Sequence, residues 1–190
     1  LTTAVSCCPV CTPYRASLLT GQYPLTHGLF LNDLCLSDDA VSIAEVFAAA
    51  GYDTGYIGKW HIDGHGRSSF IPRQRRQGFD YWKVLECTHS YNSSAYYSDA
   101  DGDKKLQWEG YDAIAQTRDA QRYIASHARG GKPFLLVLSW GPPHNPYETA
   151  PQEYRLLFAD ADKIKLRPNV PAKAQAAARK ELQGYYAHCA

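Results

Sequence analysis

The pattern of apolar and polar positions divides the chain into alternating helical and strand-like pieces. Phe134-Leu135-Leu136-Val137-Leu138 is an unbroken apolar run bounded by Pro133 and Ser139. It has strand rather than helix length, which predicts an interior strand of a parallel sheet covered on both faces. Tyr52 to Gly58 predicts a second short strand, ending in Lys59-Trp60-His61. Ahead of it, Ser42 and Glu45 form a capping box, Val41 and Val46 a hydrophobic staple, and Gly51 a C′ stop, so a helix is expected between them. Thr12 as N-cap with Pro13 at the first helical position predicts another helix through Leu19. Tyr111 to Arg129 carries a modest stripe of Ile114, Thr117, Ala120 and Ile124 and meets Gly130-Gly131, predicting a third. Two more helices are expected at Pro151 to Phe158 and from Lys173 to the end, with Leu166 to Pro171 extended between them. Leu25 to Leu36 reads as a loop. His65 to Gly110, rich in Tyr, Ser, Asn and Asp, reads as loops with one hairpin turning at Asp99 to Asp103. The order helix, Gly, strand, polar cluster is that of an α/β domain whose ligands sit at the carboxyl ends of the strands. No internal repeat or domain boundary interrupts it.

Composition narrows the function classes. The 190 residues carry 20 Lys and Arg against 19 Asp and Glu, so no nucleic-acid surface is indicated. The one basic run, Arg73-Gln74-Arg75-Arg76, reads as a solvated loop. No stretch of about twenty apolar residues exists to span a membrane. The chain has no Met and no signal peptide, and reads as starting inside a domain. Six cysteines fall short of a disulfide scaffold, and pairings among Cys7, Cys8, Cys35, Cys87 and Cys189 stay open. Asn92-Ser93-Ser94 is a glycosylation sequon, meaningful only in a eukaryotic secretory protein. Asp99 to Asp103 resembles the opening of a calcium loop, but its glycine is misplaced and the closing Glu is absent.

The stretch Pro9-Val10-Cys11-Thr12-Pro13-Tyr14-Arg15-Ala16-Ser17-Leu18-Leu19-Thr20-Gly21 carries the chemistry. It places Cys11 just before a helix N-terminus, where free backbone N–H groups, the positive dipole end and Arg15 suit an anion. A lone cysteine is more often a buried structural residue. Cys8 and Cys11 also form a C-x-x-C pair, but a redox site wants a suitable preceding strand and a zinc site a second ligand pair, and neither is found.

The stretch resembles the signature of the formylglycine-dependent (type I) sulfatases, C-x-P-x-R followed by a helix ending in Thr-Gly. Cys11, Pro13, Arg15, Thr20 and Gly21 match, and Gln22-Tyr23-Pro24 and His27-Gly28 continue the likeness. Tyr14 departs from the small residue that many members carry there. Gly51-Tyr52 through Gly58-Lys59-Trp60-His61 resembles the family segment G-Y-x-T…G-K-W-H, and Pro143-His144-Asn145-Pro146 its later H-x-P element. The resemblance implies the mostly parallel, helix-sandwiched sheet of the alkaline-phosphatase-like superfamily, incomplete here: residues 1–190 would be part of a single catalytic domain lacking its first strand and its C-terminal half.

What the family implies for the site is specific. Cys11 would be converted to formylglycine, whose hydrate attacks sulfur with one hydroxyl and expels sulfate with the other, where a serine or thiol would be left as a stable adduct. Arg15 would hold that group and its negative charge. Lys59 and His144 would bind the sulfate ester, His144 beside the leaving oxygen, and His61 would hydrogen-bond a hydroxyl of the hydrate and act as base. A calcium ion would be ligated by the modified Cys11, by two aspartates upstream of Leu1, and by an Asp and an Asn downstream of Ala190. Asp33, Asp38, Asp39 and Asp63 match no family ligand position and read as solvated. His27, His65, His89, His127 and His188 read as surface or structural residues. Implied partners are a sulfated small molecule or glycan and a formylglycine-generating or anaerobic sulfatase-maturing enzyme, in an exported (periplasmic, extracellular or lysosomal) setting. Tyr91, Tyr96, Tyr97, Trp108 and Arg73 to Arg76 would line a sugar site or simply pack a loop. The rival readings are a phosphonate monoester or phosphate diester hydrolase of the same superfamily, and a non-catalytic anion-binding relative in which Cys11 stays a thiol.

Overall fold

The computed structural model describes residues 5–190. Three helices come first: α1 (Cys11–Thr20), the single turn α2 (Pro24–His27) and α3 (Ile43–Ala49). Strand β1 (Asp53–Lys59) follows, then β2 (Tyr81–Leu85) and the hairpin β3 (Ala95–Ser98) and β4 (Leu106–Gln107). Helix α4 (Asp112–His127) leads into β5 (Phe134–Ser139), and α5 (Gln152–Leu157) and α6 (Gln175–Cys189) complete the chain. The sheet order is β4-β3-β2-β1-β5. β1 runs parallel to both β2 and β5, while β3 is antiparallel to β2 and to β4. This is the expected helix-sandwiched, mostly parallel sheet.

Strand alternation places the core on both faces. On one face Tyr56 of β1, Trp82 of β2 and Leu135 and Val137 of β5 meet Ala16 and Leu19 of α1 and Ala44 of α3. Tyr56, Trp60, Phe79 and Trp82 form an aromatic cluster there with centroids 4.9 to 6.0 Å apart. On the other face Ile57, Leu136 and Leu138 pack with Ala120 of α4. β1, buried almost throughout, is the middle one of the three parallel strands β2, β1 and β5.

Several expectations are corrected. Thr12 is not the N-cap: α1 starts at Cys11 behind Val10, which gives no side-chain cap. The Thr12 hydroxyl instead donates to the His61 carbonyl at 2.7 Å, because a buried hydroxyl takes the stronger available acceptor. β2 falls in a segment expected to be loop; its Lys83 lies in a strand because the ammonium reaches Asp119 of α4 at 2.6 Å. β5 pairs only with β1 and is half-buried along its length, rather than interior, among the described residues. The buried face of α4 is Asp112, Gln116, Asp119, Ala120 and Tyr123, with Ile124 exposed, since buried hydrogen bonds to β2 side chains orient it. The run Arg73 to Arg76 forms a 3₁₀ turn (Arg73–Arg75) capped by Arg76 and clamped by ion pairs to Asp80, Asp63 and Asp99; Arg73 stays exposed, but Arg76 is buried rather than solvated. Tyr91, Tyr97 and Trp108 are buried packing residues, not a sugar platform. The capping box of α3 is present as expected, although Val41 and Val46 both stay more than half exposed and bury no staple.

Candidate active site

The carboxyl end of β1 and the amino end of α1 meet. Lys59, the last residue of β1, is buried and places its ammonium 3.7 Å from the Cys11 Sγ. The backbone there is fixed by three donors to one oxygen: the Lys59 carbonyl accepts from Arg15 Nη1 at 2.8 Å, Tyr56 Oη at 2.9 Å and Ser139 Oγ at 2.9 Å. Arg15 also donates to Ser139 Oγ at 2.6 Å. Arg15 thus ties α1 to the ends of β1 and β5, and its hydrogen bonds run to the scaffold under Cys11. Asn32 accepts the Thr12 N–H at 3.0 Å and Thr12 Oγ1 accepts the Asp33 N–H at 3.3 Å, so the first turn of α1 is bound to the loop at 32–33.

His61 follows β1 in the left-handed region, φ 60°. Its ring is buried, and Nε2 lies 2.9 Å from Asp33 Oδ1. Asp33, itself at φ 65°, is gripped by Arg67 through Nε at 2.9 Å and Nη2 at 2.7 Å. The Arg67 pair first, then His61, holds the Asp33 carboxyl well below the usual carboxylate range. Burial, aided by the charges of Lys59 and Arg15 and opposed by Asp33, pushes the His61 pKa down to about 4. A neutral His61 beside an ionised carboxylate carries its proton on Nε2, which leaves the Nδ1 lone pair free. Nδ1 is sealed from solvent without a hydrogen-bond partner.

His144 lies beyond β5. Its Nδ1 is 2.8 Å from the Asn145 carbonyl, so Nδ1 carries hydrogen and Nε2 is left for a ligand. Its ring stacks on His89, centroids 4.4 Å apart and 14° from parallel. Burial lowers the His89 pKa, and the charges of Lys59, His144 and Arg67 add to the effect. His89 is half-buried and packs on Tyr91 and His144, so it is a packed rather than a surface histidine. The remaining histidines keep structural roles: His27 bonds Ser17 and Leu29, His65 Asp63, His127 Tyr123 and His188 Tyr111.

The structure thus brings Cys11 and Lys59 into contact, ties the His61 backbone to Thr12, the residue after Cys11, and stacks His144 on His89 after the end of β2. Sequence reasoning missed Asp33, Arg67, Glu86 and His89. Glu86 and His89 follow the end of β2 as Lys59 and His61 close β1, so recognising that strand would have flagged both by the carboxyl-end rule. Asp38 and Asp39 are exposed as expected, but Asp63 is buried and paired with Arg75 at 2.7 Å.

Two absent groups can be tested against these residues. A hydroxylated group in place of the Cys11 thiol fits the Lys59 ammonium, which stands 3.7 Å from the sulfur as a cation for it. A hard cation does not find its ligand set here, since among the described residues no three His, Cys, Asp or Glu side chains cluster to hold a metal. No described helix is long and apolar enough to cross a membrane.

The family model described as Sulfatase matches residues 1–186. The chain is 52% identical over 187 residues to an "Ulvan-active sulfatase" of Formosa agariphila, covering 98% of this chain and 36% of that protein. It is 31% identical to an "Endo-4-O-sulfatase" of Bacteroides thetaiotaomicron, covering 90% and 39%. A crystal structure of the sulfatase yidJ from Bacteroides fragilis superposes with a TM-score of 0.89 at 29% identity, covering 100% of this chain and 47% of that one. The chain therefore spans little more than a third of the length of these curated relatives.

Proposed function

The chain belongs to the sulfatase family, and from that premise we propose that the complete protein hydrolyses sulfate monoesters of carbohydrates to alcohol and sulfate, using a formylglycine made from Cys11. The observation that carries this reading is the Lys59 ammonium 3.7 Å from the Cys11 sulfur, across 48 residues of sequence. Formylglycine, when present, supplies a hydrated aldehyde that serves as nucleophile and as exit route. The chain's own residues do the rest. Lys59 neutralises the charge of an ester oxygen next to residue 11. His61, neutral and oriented by Asp33, offers Nδ1 as an acceptor for a proton from residue 11. His144, with Nδ1 held on the Asn145 carbonyl, presents Nε2 to the departing alcohol oxygen. Arg15 holds the Lys59 backbone that aims the ammonium.

The names of the relatives support a sulfated polysaccharide as substrate class, and hence an exported setting where such polymers are met. Residues 1–190 are proposed to be part of one catalytic domain whose calcium ligands, besides residue 11, lie outside them, and whose Cys11 is converted by a sulfatase-maturing enzyme. The test is the full-length protein produced with such an enzyme. Mass spectrometry of the residue 11 peptide should show the aldehyde in place of the thiol. Aryl and sugar sulfates should turn over faster than aryl phosphonates, and Cys11→Ala should lose at least about a thousandfold in kcat/KM with unchanged folding. An unmodified thiol and no turnover would favour the anion-binding reading; faster phosphonate hydrolysis would favour the phosphonate ester hydrolase.

A further inference from the structure

Glu86 has no part in the mechanism above, yet it is almost fully buried immediately after β2, with no side-chain cation bonded to it among the described residues. Its two oxygens take three backbone N–H groups from the segment that follows β1. Oε2 accepts from His61 at 3.1 Å, and Oε1 from Asp63 at 2.9 Å and Gly64 at 3.0 Å. The segment needs such an anchor. His61 sits at φ 60°, a conformation in which a non-glycine residue left to itself spends little time. From the opposite side the Thr12 hydroxyl holds the His61 carbonyl at 2.7 Å. The peptide groups on both sides of His61 are therefore gripped, one by α1 and one by the end of β2. With the backbone held, the ring meets Asp33 through Nε2 at 2.9 Å.

We propose that Glu86 is a positioning residue for His61: its buried carboxylate clamps the backbone of residues 61–64 and so holds the imidazole against Asp33. The inference rests on the reading of His61 as a base, and goes beyond it by assigning the group that aims it. Burial, with the nearby Asp63 charge, pushes the Glu86 pKa up to about 7, while the N–H groups of Gly64, Asp63 and His61 pull it down.

Glu86→Gln keeps the shape but can accept through one oxygen only, so at least one of the three N–H bonds is lost. In the full-length, matured enzyme we expect kcat on an aryl sulfate to fall about ten- to a hundredfold, with KM changed less than threefold, at equal formylglycine content and a melting temperature within a few degrees of the parent. Glu86→Asp, too short to reach all three donors, should be worse than Gln on kcat. Amide hydrogen exchange gives a readout free of activity: residues 61, 63 and 64 should be protected in the parent and exchange at least tenfold faster in both variants. A Gln variant with parental kcat and parental protection overturns the proposal, as does a loss that falls equally on KM or follows only the melting temperature. Should Gln fail to fold, parental protection of the three amides together with the Asp variant decides. If the parent hydrolyses no sulfate ester the functional reading fails, and the exchange data still test the clamp separately.

Discussion

His144 is the residue whose role the scaffold constrains least, being exposed and held by one bond to its neighbour's carbonyl and by the stack on His89. If its Nε2 serves the departing oxygen, His144→Ala should cost at least tenfold more on sugar sulfates, whose alkoxides leave poorly, than on activated aryl sulfates. Steady-state rates on both substrates check this, and equal losses would assign His144 to binding. Cys11, Lys59, His61 and His144 were legible in the sequence because each sits in a short motif with fixed spacing. Asp33, Arg67 and Glu86 were not, because their roles come from partners 22 to 34 residues away that no local pattern records.

At the scale of elements, the end of β1 sets the site, and its closest tolerance is at Gly58. With φ 108° and an added Cβ lying 2.1 Å from the Ser139 carbonyl oxygen, Gly58→Ala must push β1 and β5 apart just before Lys59. It should cost at least about 3 kcal/mol of stability in urea unfolding. Gly131→Ala, also at positive φ but facing open space, should cost only about 1 kcal/mol, from backbone strain alone. The capping box of α3 gives a second prediction. Ser42 accepts the Ala44 and Glu45 N–H groups and donates to the buried Gln77 carbonyl at 2.6 Å. Ser42→Ala should therefore lose about 2 kcal/mol, the upper end for a cap, in the same assay. Caps and the apolar run of β5 were legible since they are local. β2 was not: Tyr81-Trp82-Lys83-Val84-Leu85 alternates around a lysine that only the buried Asp119 of α4 makes acceptable in a strand.

For the molecule as a whole, the sheet brings the ends of β1, β2 and β5 to one edge, and the cations Lys59, Arg15 and Arg67 with them. The described residues nonetheless assemble no metal cluster. A hard cation needs roughly six to eight oxygen ligands, so residues 1–190 alone should bind calcium more weakly than about millimolar and hydrolyse no sulfate ester even with Cys11 converted. Calorimetric titration of calcium into this chain, and into a protein of its relatives' length, measures the difference. Micromolar binding by residues 1–190 would place the ligands within them.

The sequence alone determined the family, the α/β class and most helices, and it nominated Cys11, Arg15, Lys59, His61 and His144 as site candidates, since these readings depend on spacing and local propensity that the chain carries in one dimension. Tertiary structure decided which groups orient them: the Asp33 grip on His61, the three donors on the Lys59 carbonyl, the Glu86 clamp and the His89 stack. A buried polar group takes whichever partner the packing brings within hydrogen-bond reach, and that choice exists only once β2, β1 and β5 lie side by side.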